Sequence, residues 1–205
     1  MRTLLLTLTA ACGLWAADYK IEAAGAPPAE ASVLAPALVK DGTKILKGDG
    51  SVLCEIWWRA QEPTGGKAEE SASFTTIPQG ALMGVIRFPN RHADRRGQTI
   101  KPGVYSMRYS LFPINGDHQG VAPQRDFLIL SPIAEDKDPA SAPAFDPLMD
   151  MSRKASGTPH PLVLSIWKAE GGSPASIDAG EKDVTLTTKV GSLPLSVILV
   201  GKAEG

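Results

Sequence analysis

Apolar and polar positions alternate with a period of two through most of the chain beyond residue 40. In "SVLCEIWWR", Val52, Cys54, Ile56 and Trp58 share one side, and Glu55, Trp57 and Arg59 share the other. In "VYSMRYSL", Tyr105, Met107, Tyr109 and Leu111 alternate with Ser106, Arg108 and Ser110. Successive side chains of an extended strand point to opposite faces, so this pattern predicts half-buried antiparallel strands. "RDFLILSPI" is apolar on both sides and predicts a strand covered on both faces. "ALMGVIRF", "PLVLSIWKA", "DVTLTTKV" and "LPLSVILVG" continue the series, with Trp167 on the core side of its strand.

Turn residues punctuate these runs. Gly48-Asp49-Gly50 and Gly191-Ser192 each supply the backbone freedom of a tight hairpin, and Pro102-Gly103 marks a bend. One short helix is predicted near 146–155 in "AFDPLMDMSRKASG". Asp146 would cap it, Pro147 would take the first helical position, Leu148 and Met151 would face the core, and Gly157 would end it. Eight or nine strands with Gly and Pro between them, and no strand–helix alternation, predict an all-β fold. The expected form is an antiparallel β-sandwich, immunoglobulin-like or jelly-roll-like. "AGAPPAEASVLAP", residues 24–36, reads as an extended arm over the surface, and "QEPTGGKAEESAS" as an exposed loop.

The front of the chain reads differently. Arg2 precedes the apolar "TLLLTLTAACGLWA", and Ala16-Ala17 lead into the polar "DYK". This predicts a signal peptide over 1–17 and a single domain over 18–205, exported to the periplasm or the cell exterior. "LTAAC" loosely resembles a bacterial lipoprotein box, so a lipid anchor at Cys12 is the alternative reading. No other stretch approaches the roughly 20 apolar residues of a membrane-spanning helix. Removal of the leader leaves Cys54 alone, so no internal disulfide is expected; its place on the apolar side of a strand predicts a buried, inert thiol.

Composition narrows the partners. With 21 basic and 22 acidic residues the net charge is −1, which offers no electrostatic grip on nucleic acid.

Candidate chemistry falls in the loops. His92, His118 and His160 lie in "FPNRHADRRGQ", "NGDHQG" and "GTPHPL". Converging at one end of the fold with Asp94 or Asp117, they would form a divalent-metal site. None of them shows paired ligand spacing, so no cofactor is predicted. In "NGDHQG" the alternative is a turn in which Asp117 bonds backbone amides and His118 braces a neighbouring loop. Arg91, Asp94, Arg95, Arg96, Arg125 and Asp126 form either an ion-pair lattice between loops or guanidinium forks for an anionic ligand. Glu135, Asp136 and Asp138 lack the glycine and closing glutamate of an EF-hand and read as a solvated acidic loop. Trp57, on the polar side of its strand, would either stack on a sugar or pack under the loop of the 60s. There is no Gly-x-Ser-x-Gly elbow.

The stretch from "GALMGVIRF" through "GQTIKPGVYSMRYSLFP", "NGDHQG" and "RDFLILSP", with "SRKASGTPHP" further on, resembles a group of uncharacterised exported bacterial proteins. Its carriers are the Gly-x-x-Ile-x-x-Gly-x-Tyr strand entry, the Gly-Asp-His turn and the Arg-Asp-Phe strand, over roughly residues 80 to 165. "IKPGVYSMRYSLFP" is also distantly similar to a bacterial domain of unknown function built as a small β-sandwich. The resemblance implies export and an all-β fold and assigns no catalytic residue. The expected function is a binding or accessory module of the cell envelope, for an unknown ligand or an envelope protein partner. Its site would draw on His92, Asp94, Arg95, Asp117, His118, Arg125, Asp126, His160 and Trp57. The alternatives are a metal-dependent or acid–base hydrolase using the same loops, and a structural envelope protein with no site.

Overall fold

Gly48 to Gly50 do reverse the chain: β2 (Gly42–Leu46) and β3 (Val52–Trp58) form an antiparallel hairpin, with Gly50 at φ 81°. The computed structural model describes residues 19–114 and 125–203. Ahead of the hairpin lies β1 (Lys20–Gly25), and after it come β4 (Leu82–Phe88), β7 (Gly103–Leu111) and β8 (Asp126–Pro132). Between β4 and β7 the chain makes a small ribbon of β5 (His92–Ala93) and β6 (Thr99–Ile100). Helix α1 (Phe145–Ser156) follows β8, and β9 (Leu162–Lys168), β10 (Ser176–Ala179), β11 (Val184–Val190) and β12 (Leu193–Val200) complete the chain.

Ten of these strands make one antiparallel sheet in the order β1-β2-β3-β4-β7-β8-β9-β12-β11-β10. The sheet curls until β1 approaches β10, so it is nearly closed and barrel-like. This corrects the expected sandwich of eight or nine strands. Period-two alternation fixes which side chains share a face, but a curled sheet and two stacked sheets both produce it.

The interior follows the alternation closely. Ile45, Cys54, Ile56, Trp58, Met107 and Leu128 belong to one continuous cluster that also takes in residues of β9, β11 and β12. Cys54 is fully buried there, and burial pushes its thiol pKa well up, which keeps it unreactive. Trp167 is only half-buried, at the end of β9.

The helix is one residue longer at each end than the expected 146–155, and its cap lies two residues before the expected Asp146. Ala144 is its N-cap, with no side-chain cap, and Asp146 lies inside the first turn, where its charge suits the free amides. Pro147 takes the third helical position, and Gly157, at φ 66°, ends the helix by donating its N–H to Arg153 O. Leu148, Ser152 and Ala155 are buried at helical spacing, whereas Met151 is only half-buried. Among the described residues no helix is long and apolar enough to cross a membrane.

The outer face of the sheet is coated by three segments. Residues 24–36 were expected as an extended arm; instead the chain from Pro28 to Leu38 folds into two 3₁₀ turns, Ala29–Ala31 and Ala35–Ala37, that lay Ala31, Leu34 and Leu38 over Trp57, Leu82 and Val85. Helix α1 packs Leu148 and Met149 over Phe127, Ile129 and Val163. Between these two, residues 136–141 cover the outward side chain of Arg108. The loop of the 60s and 70s is exposed over residues 67–71, although Pro63 ahead of it is buried, and it then turns in, with Phe74 and Ile77 joining the interior cluster.

Candidate functional site

Asp126 opens β8 with no side-chain surface left to solvent. Its carboxylate accepts the amides of Ser73 (2.9 Å) and Phe74 (3.3 Å) and the hydroxyl of Tyr109 (2.8 Å). It therefore holds the inward turn of the 70s loop. Tyr109 is kept firmly protonated by burial and, secondarily, by the carboxylate beside it. Asp94 does the same work at the β5–β6 turn. It accepts the amides of Arg96 and Gln98 at 3.0 Å each, and the side chains of the same two residues at 3.3 and 3.2 Å.

The arginines are similarly engaged. Arg95 forks onto Asp183 at 3.1 and 3.2 Å, tying β5–β6 to the start of β11. Arg125 donates to Phe112 O at 3.1 and 2.7 Å and to Glu70 O. Of the expected ion-pair lattice, the described contacts join only Arg96 to Asp94: Arg95 pairs with Asp183 outside it, Arg125 bonds carbonyls, and Asp126 bonds amides and a tyrosine hydroxyl. His92 bonds Leu199 O through Nε2 at 2.7 Å and stacks on Phe88 with ring centroids 4.8 Å apart. Burial lowers its pKa, although the Leu199 carbonyl pulls the other way. His160 is exposed on the connection into β9. Asp117 and His118 lie outside the described residues. Among the described residues, no three His, Cys, Asp or Glu side chains come together as a metal site.

Trp57 is 1% exposed, so the sugar-stacking reading is corrected. Its indole Nε1 donates to Gly25 O at 2.8 Å, and its ring lies so close over β2 that a Cβ at Gly42 would stand 2.5 Å from Nε1. The cover is the N-terminal segment and not the loop of the 60s.

In the strand alternation Arg108 stands on the polar side, a position that by itself predicts solvent. Arg108 is fully buried. Its Nε and Nη2 grip Asp136 at 2.6 and 2.7 Å, Nη1 donates to Gly80 O and Ser141 O, and Nη2 also reaches Asp138 O. Asp136 is thus the partner of a buried guanidinium and not part of a solvated acidic loop. Glu135 pairs with Lys154, and Asp138 accepts the amide of Ala140. The three acidic groups turn to separate partners and offer no shared calcium position.

Among the described residues, two openings beside α1 are lined mostly by apolar surface. A groove of about 290 Å³ runs along one flank of α1, walled by Phe112, Phe127, Ile129, Val163 and Met149. It shares Leu111, Phe112, Pro113 and Phe145 with a second cleft of about 630 Å³ that reaches toward Gly66, Gln79 and Tyr109. Volumes of this order suit a small ligand. Ser110 Oγ and Arg96 Nε, on the groove lining, and Gln79 Nε2, on the cleft lining, are buried with no hydrogen-bond partner among the described residues. Buried polar atoms are nearly always bonded; Trp58 Nε1, Ser106 Oγ and Ser131 Oγ, which line neither opening, are in the same state among the described residues. A stripe Phe145, Met149, Arg153 at i, i+4, i+8 was present in the sequence as a signal of this flank.

No family model, curated protein or solved structure matches the chain.

Proposed function

We propose that the protein is an exported binding module that captures a small ligand non-covalently in the groove beside α1, within the periplasm or outside the cell. The observation that carries this reading is the division of labour among its side chains. Asp94, Asp126, Arg95 and His92, the groups suited to acid–base or metal chemistry, are occupied by the protein's own amides, carbonyls and carboxylates. The aromatic groove is left open beside them. A hydrolase on the same loops needs at least two such groups facing one cavity. Export rests on the charged, then apolar, then small-residue order of residues 1–17, with a lipid anchor at Cys12 as its variant. The N-terminal sequence of the exported product distinguishes the two.

The binding test uses the neutral fluorophore N-phenyl-1-naphthylamine. The expected result is saturable, blue-shifted emission that Met149→Trp, which fills the groove, weakens by about tenfold or more. Should that variant fail to fold, Val163→Phe narrows the same space. Absence of saturable binding to the wild type, or equal binding by a folded filled variant, would overturn the proposal.

A further inference from the structure

The groove has two unlike ends. Toward Phe145 its walls are aromatic: Phe112 and Phe127 meet ring against ring, and Phe145 stands partly in solvent at 37% exposure. Toward Arg153 the lining changes to Arg96, Arg153 and His160. Phe145, Met149 and Arg153 share one stripe of α1, so the apolar and cationic ends lie about 12 Å apart along the helix axis.

The two arginines are held in place but not used up. Arg153 donates Nε to Pro159 O at 2.8 Å and Nη1 to Asp150 at 2.7 Å, with Nη2 outside both bonds. Asp150 lies mostly in solvent, so water screens it and its pairing is weak. Arg96 directs Nη2 to Pro161 O and Asp94, while Nε is buried and without a partner among the described residues. The Asp94 carboxylate already takes two backbone amides and the Gln98 side chain as well, so it does not depend on Arg96 alone. Both guanidinium groups line this end of the groove, and Arg153 Nη2 carries N–H donors outside its two bonds. A ligand that ends there needs an acceptor, and an anionic acceptor gains most from guanidinium donors.

Resting on the binding reading above, we infer that the groove takes an anionic amphiphile of the fatty-acid class. Its carboxylate sits between Arg153 and Arg96, and its chain lies over Ile129, Val163 and Met149 toward the aromatic end. No bond is made or broken; capture is by apolar burial along the stripe and charge-assisted hydrogen bonding at one end.

The test is displacement of bound N-phenyl-1-naphthylamine by decanoate, decanol and decyltrimethylammonium. Decanoate should displace the fluorophore at a concentration about tenfold lower than decanol, and the cationic amphiphile should be the weakest. Arg153→Gln should bring decanoate to the level of decanol while leaving decanol unchanged. Lys154→Gln, which removes the same charge one residue away from a side chain paired with Glu135, should change neither. Equal displacement by decanoate and decanol would overturn the head-group assignment and leave the binding reading standing. So would equal weakening by Arg153→Gln and Lys154→Gln, because long-range charge alone would then be acting. Failure of the fluorophore to bind the wild type would remove both.

Discussion

Two segments lie on the outside of the same sheet, and they cover it differently. The N-terminal coat closes over Trp57 with Ala31, Leu34 and Leu38 and leaves the indole 1% exposed. Helix α1 covers Phe127, Ile129 and Val163 and leaves a groove along its flank. The difference follows from shape. Short 3₁₀ turns with small residues follow a curved sheet closely, whereas a helix is a cylinder about 10 Å across that seals only along its line of contact. On this molecule the irregular coat stabilises and the regular one leaves room for a ligand.

The comparison breaks most visibly at Trp57. Trp57→Ala removes a fully packed indole and its bond to Gly25, and should cost about 4 kcal/mol in urea unfolding; a loss comparable to that of an exposed residue would show that the N-terminal coat does not seal. Asp136→Asn tests the clasp between the two coats. It leaves the Arg108 guanidinium buried with no charge partner and an amide NH2 where one acceptor oxygen stood, and about 3 kcal/mol of destabilisation is expected. Met149→Ala should cost less, about 2 kcal/mol, at the low end for a buried methionine, because the groove already leaves one side of it without neighbours. If Met149→Ala proved as costly as Trp57→Ala, the contrast between the two coats would be wrong.

The smallest effect concerns pH. His92 has a folded pKa below its ordinary 6.5, chiefly because it is buried. The unfolded chain therefore takes up a proton near pH 6.5 while the folded chain stays neutral, so folding is favoured above that pH. Stability falls as the pH drops from 6.5 toward the folded value, by at most about 1.4 kcal/mol per pH unit for a single proton. His92→Gln keeps a donor for Leu199 O and does not titrate. Its unfolding free energy should fall less steeply than that of the wild type below pH 6.5, and identical slopes would mean that His92 is not the group responsible.

Much of the strand pattern was legible because each strand's period is local. Cys54, Ile56 and Trp58 point inward as their alternation says, and Gly191 turns β11 into β12. What the alternation could not say is what lies on the far side. Ser106, Arg108 and Ser110 are polar and outward, which ordinarily means solvent, yet all three are buried because later or earlier segments return to cover them. Asp126 looked like a ligand contact because it is charged and follows a loop. Its real partners are backbone amides more than 50 residues away, and backbone amides leave no mark in a sequence. The groove was half legible. Phe145, Met149 and Arg153 stand at helical spacing, but Leu148 and Met151 drew attention to a different side of the helix.

Among the described residues, the near-closure of the sheet leaves β1 and β10 each paired on one side only, facing one another across a gap. Unpaired edges invite strands from other molecules, and charged or polar side chains at such edges discourage that pairing. Lys20 and Glu22 on β1, and Ser176 and Asp178 on β10, are all exposed in this way. These four hydrophilic side chains are of the kind that discourages strand addition at such edges.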